Sequence, residues 1–186
     1  MTRLAITHLP LEGLRLITRH RLGDSRGSFS RLFCAEELAP AGWTKSIVQI
    51  NHTVTPKMGT VRGMHFQQPP YAEMKLVTCL RGEVFDVAVD LRQGSPTFLS
   101  WHGETLSAAN YRALLIPEGF AHGFQALTDD VELLYCHSSA YAADFERGVQ
   151  PTDPRLCITW PRPIVLLSER DSCHPLLTDS FAGVSV

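Results

Sequence analysis

The stretch Val61–Arg92, VRGMHFQQPPYAEMKLVTCLRGEVFDVAVDLR, decides the fold. Within it Phe85, Val87, Val89 and Leu91 alternate with Val84, Asp86, Ala88 and Asp90, the period of two expected of a strand with two unlike faces. Gly63, Pro69-Pro70 and Arg81-Gly82 are bend or turn signals. His65, Lys75 and Asp86 therefore fall in consecutive short strands. Asp86 and Asp90 share the face opposite the large apolar row. An isolated buried charge is too costly to leave unpaired, and Lys75, the nearest cation on a neighbouring strand, is the expected partner of Asp86.

The same grammar extends in both directions. Upstream, residues 5–33 read as two or three strands, with Gly23–Gly27 as the loop between Leu14–His20 and Phe29–Phe33. Cys34–Leu38 holds one helical turn, Lys45–Thr53 is a strand, and Pro56–Gly59 is a turn. Downstream, a turn at Ser95–Thr97 precedes strands at Phe98–Glu104, Tyr111–Ile116, Phe120–Leu127 and Val131–His137. Roughly eight to eleven short strands so spaced imply an all-β sandwich or barrel. From about residue 142 the pattern changes: Asp153-Pro154, Trp160-Pro161 and Arg162-Pro163 break regular structure. We expect one domain over 1–186, with an irregular C-terminal extension packed on the barrel.

Composition narrows the function classes. A chain of 186 residues is long enough to bury a sizeable core. A formal net charge of −2 gives no reason to expect a nucleic-acid or membrane partner. The five cysteines, Cys34, Cys79, Cys136, Cys157 and Cys173, are widely spaced with no CxxC, so neither a disulfide framework nor a zinc ribbon is indicated. The opening MTRLAITHLPLEGL lacks the apolar core of a signal peptide. A reducing, cytoplasmic setting is the expectation.

Candidate chemistry rests on few residues, each with a plainer alternative. Taken alone, His65 reads more readily as a hydrogen-bonded strand residue than as a base; lysine, aspartate, tyrosine and a second histidine on neighbouring segments favour the base. His122, after Pro117-Glu118-Gly119, reads as a loop histidine or a site residue. Tyr135 in VELLYCH shares a face with Val131, Leu133 and His137 and reads as a core tyrosine or an acid. Metal-binding barrels use a His-x-His pair, and here position 67 is Gln67. His65 and His122 alone fall short of the three or four ligands a borderline metal takes, so no metal is expected. Arg26, Arg62, Lys75 and Arg112 are the basic residues expected to face a pocket. No phosphate-binding glycine loop competes with them.

RGMHFQ, Lys75 in AEMKLV, GEVFDVAVDLR with SPTF, LSAAN, IPEGFAHGF and SERD together resemble the dTDP-4-dehydrorhamnose 3,5-epimerase family, in order, from about Arg26 to Asp171. The resemblance implies a cupin-type jelly roll without metal or cofactor, working as a homodimer with exchanged strands on a nucleotide-sugar substrate. It implies inversion of C3 and C5 of a 4-keto-6-deoxyhexose. By position, His65 matches the base, Asp171 the acid that orients it, and Tyr135 the general acid of the opposite face. Lys75, supported by Asp86, matches the cation beside the C4 oxygen. Arg62 and His122 match pocket positions; Arg26, Phe29, Gln49, Asn51, Tyr141 and Glu146 match nucleotide and sugar contacts. A neutral histidine is a competent base near pH 7, and a cation placed where an oxyanion develops is commonly among the largest catalytic terms.

The sequence departs from the family pattern at Arg31, where a glutamate is common, at Met64 and Phe66 in RGMHFQ, and at Ala72-Glu73 before Lys75. Members that invert one carbon, or that use CDP sugars, share most of these motifs. A catalytically silent sugar-nucleotide-binding protein is the alternative of a different class; it would need no acid–base pair.

Overall fold

The computed structural model describes residues 2–186. Thirteen strands account for nearly all regular structure: β1 (Leu4–His8), β2 (Arg15–Arg19), β3 (Arg21–Asp24), β4 (Gly27–Ser30), β5 (Gln49–Thr55), β6 (Val61–Gln67), β7 (Lys75–Arg81), β8 (Glu83–Asp90), β9 (Trp101–Ser107), β10 (Arg112–Ile116), β11 (Phe120–Ala126), β12 (Val131–His137) and β13 (Glu146–Gly148). Two four-residue α-helices, α1 (Ala35–Leu38) and α2 (Glu169–Ser172), and two 3-10 turns, Ala39–Ala41 and Ala143–Phe145, complete it. No helix among the described residues is long and apolar enough to cross a membrane.

The strands form a six-stranded sheet in the order β1-β2-β10-β7-β12-β5, a five-stranded sheet in the order β13-β6-β11-β8-β9, and the separate hairpin β3-β4. Every ladder within them is antiparallel. The chain crosses between the two large sheets repeatedly: β6 lies in one, β7 in the other, β8 and β9 back in the first, β10 in the second, β11 and β12 again one in each. This all-β crossing pattern is the jelly roll that the sequence led us to expect.

Side-chain alternation fills three layers. Val77, Cys79, Val84, Ala88, Leu114, Phe124 and Leu133 form the layer between the sheets. Strand β8 shows the division plainly, because Val84 and Ala88 face this interior while Val87, Val89 and Leu91 face outward. The outward row is covered by the C-terminal residues Leu156, Leu177 and Val184. Burying side chains of this size contributes roughly 1.5–3 kcal/mol each, which fastens a segment that has little ladder of its own. Asp153, 1% exposed, adds hydrogen bonds from the Leu177 and Arg155 amides at 2.6 and 2.8 Å. On the far side, Leu38 and Trp43 cap the outer face of the six-stranded sheet against Ile17, Leu76 and Leu115.

Three boundaries differ from expectation. The Phe29–Phe33 strand is instead Gly27–Ser30, paired with β3 in the projecting hairpin. The Lys45–Thr53 strand begins only at Gln49, where pairing with β12 starts at His137. The Phe98–Glu104 strand begins at Trp101, because residues 95–99 wrap the buried Asp90 carboxylate. Arg92, Ser95 and Thr97 all donate to that carboxylate at 2.6–2.9 Å, and they hold it below the ordinary carboxylate range against the opposing effect of burial.

Candidate active site

Strands from both large sheets line a cavity of about 200 Å³. The five-stranded sheet contributes Arg62 and His65 on β6 and His122 on β11; the six-stranded sheet contributes Gln49 and Asn51 on β5, Lys75 on β7 and Tyr135 on β12. Tyr141 and Glu146 close one side. His65 and His122 are direct cross-strand partners, so their side chains project from the same face.

Local backbone sets His65 in place. Gly63 has φ +133, and a Cβ there would stand 2.5 Å from the Gly123 Cα, so no side chain fits where β6 and β11 approach. The ladder shifts register at this point, as in a β-bulge. The Gly63 amide donates to Asp171 Oδ2 at 3.2 Å, and His65 Nε2 meets Asp171 Oδ1 at 2.7 Å. Asp171 comes from α2, whose N-cap Ser168 accepts the Asp171 amide at 3.0 Å. Burial alone would push its carboxyl up, but the hydrogen bond and charge of His65, with the Gly63 amide and Ser168, hold it below its usual range. An ionised carboxylate only accepts, so Nε2 of neutral His65 carries the proton and Nδ1 keeps the free lone pair.

Beside this pair lies His174, which packs edge-on to the His65 ring at 5.6 Å. Burial first, then the charge of His65, keeps its imidazole below the ordinary histidine range. Across the cavity, burial pushes the Tyr135 phenol well up, helped by the charge of Asp86. It remains a proton donor through neutral pH. His137 stacks on Tyr135 with centroids 6.0 Å apart and lines the cavity. Burial, then Lys75 and His122, push it down to about 4.

The expected Lys75–Asp86 pair does not form. Lys75 Nζ lies 3.0 Å from Glu73 Oε1 and donates to the His65 carbonyl at 3.1 Å. Asp86, 0% exposed, takes His122 Nε2 at 2.9 and 3.0 Å instead. The cause is topological: β7 and β8 are consecutive in sequence but lie in opposite sheets, while the ladder neighbour of β8 is β11. Asp86 therefore stands behind His122, and Asp171 behind His65; neither lines the cavity.

Two basic residues also fall elsewhere than expected. Arg112 pairs with Glu104 at 2.8 Å on an exposed surface. Arg26 pairs with Asp24 and, with Phe29, lines a separate cleft of the β3-β4 hairpin. Arg31 pairs with Glu37, whose other oxygen accepts the Arg3 and Leu4 amides at 2.7 and 2.8 Å; that arginine is committed to holding the first strand.

Gln49, Asn51, Tyr141 and Glu146 also line the cavity. Gln49 accepts the Tyr141 amide at 2.9 Å, Asn51 reaches His137 at 3.4 Å, and the Tyr141 hydroxyl donates to Glu146 at 2.8 Å. Arg170 also binds Glu146. Gln67, which breaks the His-x-His pair, has a structural duty: its amide donates to Glu73 at 2.6 Å and to the Ala140 carbonyl at 3.1 Å, and accepts from the Ala142 amide at 2.6 Å. Sequence reasoning passed over Glu73 and His137 as site residues. For His137 the signal was present, since it stands two residues from Tyr135 on the same strand face.

Comparison with known proteins gives the family. The family model described as dTDP-4-dehydrorhamnose 3,5-epimerase matches residues 8–179. The dTDP-4-dehydrorhamnose 3,5-epimerase of Shigella flexneri is 48% identical over 150 residues, covering 80% of this chain and 82% of its own. The dTDP-4-dehydrorhamnose 3-epimerase of Streptomyces niveus is 42% identical over 173 residues, covering 92% and 83%. The solved dTDP-6-deoxy-D-glucose-3,5-epimerase of Legionella pneumophila, in complex with dTDP-4-keto-L-rhamnose, superposes with a TM-score of 0.91 at 37% identity over 98% of both chains. With a family model spanning nearly its whole length and relatives this close, the chain belongs to the dTDP-4-dehydrorhamnose 3,5-epimerase family.

Proposed function

We propose that the protein inverts C3 and C5 of dTDP-4-keto-6-deoxy-D-glucose, giving dTDP-4-keto-L-rhamnose, by acid–base enolisation. One observation carries the reading: His65, backed by the Asp171 carboxylate, and the protonated phenol of Tyr135 enter a single cavity from opposite sheets. Inversion needs a base on one side of the ring and a proton source on the other. A protein that only bound the sugar nucleotide would need neither.

The chemistry follows from the groups present. Protons at C3 and C5 both flank the C4 ketone, so loss of either leaves an enolate with its charge on the C4 oxygen. His65 Nδ1 takes the proton, and Asp171 fixes the tautomer while stabilising the imidazolium. Lys75, 7% exposed, supplies positive charge for the enolate oxygen. Glu73 and the His65 carbonyl hold its ammonium in place. Tyr135 returns a proton to the other face.

Arg26 and Phe29 fit this scheme through a homodimer. Phe29 is 62% exposed on the projecting hairpin, and the edge strand β5 exposes Ile50 and Val54 at 59% and 52%. Unpaired, apolar edges of this kind invite a second chain. A partner's hairpin would then bring its arginine and phenylalanine to the nucleotide. Light scattering should return twice the chain mass; a monomer at working concentration would remove this part of the reading. The five free cysteines suit a cytoplasmic setting.

The deciding experiment is proton NMR of dTDP-4-keto-6-deoxyglucose with the protein in D2O, coupled to a reductase that traps product. Deuterium at C3 and C5 with an L-rhamnose product is expected. A 3-epimerase stands among relatives of similar identity, so label at one carbon alone would make this a mono-epimerase. No label with the dTDP sugar but label with its CDP counterpart would change the nucleotide.

A further inference from the structure

His174 is not needed by the acid–base scheme, yet it lies against the centre of it. Its Nε2 is buried with no hydrogen-bond partner and lies 3.8 Å from Asp171 Oδ1, the same oxygen that takes His65 Nε2. The ring owes its position to Gly148, where a Cβ would fall 2.3 Å from His174 Nε2. One donor atom from each of His65, Asp171 and His174 lies within 4.8 Å of the others.

A separation of 3.8 Å is too long for a hydrogen bond. It is close to the spacing of two ligands on one tetrahedral metal, which bonds of roughly 2.0–2.2 Å set at about 3.4 Å. Two imidazoles and a carboxylate are the donor types that zinc and its neighbours accept, with a fourth position left for water. To admit the ion, the 2.7 Å contact between His65 and Asp171 must open by about 0.7 Å. That is a side-chain adjustment at a residue already 30% exposed.

We propose that His65, Asp171 and His174 form a binding site for a divalent zinc-like ion, and that its occupancy switches the enzyme off. The bond forms at His65 Nε2, so the proton there moves to Nδ1. Nδ1 is the atom that must accept the substrate proton, and once protonated it cannot. The ion sits behind the base, on the side of Asp171, and leaves the cavity open. Zinc should therefore lower turnover while substrate still binds. The inhibitory part rests on His65 being the base; the binding part does not.

The test uses full-length protein stripped with EDTA, in wild-type form and with the exposed thiols removed by Cys157→Ser and Cys173→Ser. Titration with zinc chloride should show one ion per chain in both forms. It should also lower deuterium exchange into substrate, with EDTA restoring it and the substrate Michaelis constant little changed. His174→Ala should weaken zinc binding and zinc inhibition by at least about tenfold. His65→Asn, read by zinc binding alone, should weaken it as well and guards against misfolding of a single variant. Cobalt in place of zinc should give visible bands without thiolate charge transfer. Zinc binding of equal strength in His174→Ala and wild type would overturn the site, as would binding lost with the two cysteines. Binding that obeys the variants but leaves exchange untouched would keep the site and strike His65 from the role of base.

Discussion

Two histidine–carboxylate pairs flank the cavity, His65–Asp171 and His122–Asp86, and they differ in access rather than in chemistry. His65 and Asp171 meet at 2.7 Å, with the histidine side chain 30% exposed. His122 and Asp86 meet at 2.9 Å with side chains 6% and 0% exposed. The second pair is built within one ladder, since β8 and β11 are neighbours and their register brings the two side chains together. The first joins a strand to a four-residue helix in the C-terminal segment. A base must reach a substrate, and the accessible imidazole has one ring nitrogen free while a carboxylate holds the other. The sealed pair plays another part. His122 Nε2 and both Asp86 oxygens are taken up by each other, and the pair forms a fixed polar wall beside Tyr135, whose ring lies 5.8 Å from that of His122. Identical residue types become base or wall according to which element supplies the carboxylate.

The sharpest way to break this contrast is to remove each histidine in turn. His65→Asn should lower deuterium exchange at both carbons by about 10²–10⁴, the usual worth of a positioned general base, with the thermal unfolding midpoint little moved. Retained exchange would hand the role to His122. Tyr135→Phe should come next, lowering inversion by about 10² while exchange falls less; equal losses would remove its role as acid. The carboxylates should then separate by the kind of damage they do. Asp171→Asn should cost activity about tenfold or more, because the amide no longer stabilises the imidazolium, and little stability. Asp86→Asn should cost stability on the order of 1–3 kcal/mol, the penalty of unbalancing a buried polar pair, measured by urea unfolding. If both variants lost only activity, the pairs would not be distinct.

How far this contrast was legible in the sequence follows from the kind of contact each part makes. Alternation in Glu83–Leu91 exposed the two faces of β8, and the motif order placed His65, Lys75 and Tyr135 in one site. Strand period is local, and it survives into the fold. Partner choice is not local. Lys75 and Asp86 are close in sequence, yet the jelly-roll crossing sends β7 and β8 to opposite sheets, and the carboxylate goes to His122. The motif match foresaw Asp171, but nothing in the proline-broken stretch around it has a period that would place it. His174 follows three residues later with no signal of its own, and only the gap left by Gly148 accounts for its position. Arg26 and Phe29 show the same limit from the other direction. The motifs assign them to the site, yet within one chain they stand on a hairpin apart from the cavity.

The smallest effect tests whether burial keeps His137 uncharged beside Tyr135. His137 stacks on Tyr135 and is pushed down to about 4 by burial, with Lys75 and His122 adding repulsion. In the unfolded chain it titrates near 6.5. Between these values the unfolded state binds more protons than the folded one, so stability falls as pH falls. The contribution is fully present above about pH 6.5 and is lost progressively toward pH 4. Between about pH 7.5 and 5.5 the loss from this one group should be on the order of 1 kcal/mol. Urea midpoints across that range should slope downward for the wild type and less steeply for His137→Asn, which keeps a polar group but cannot take the proton. An unchanged slope would mean that His137 charges freely inside the cavity. A cation would then stand against the Tyr135 ring, and the division between an accessible, proton-exchanging pair and a sealed, fixed wall would no longer describe the site.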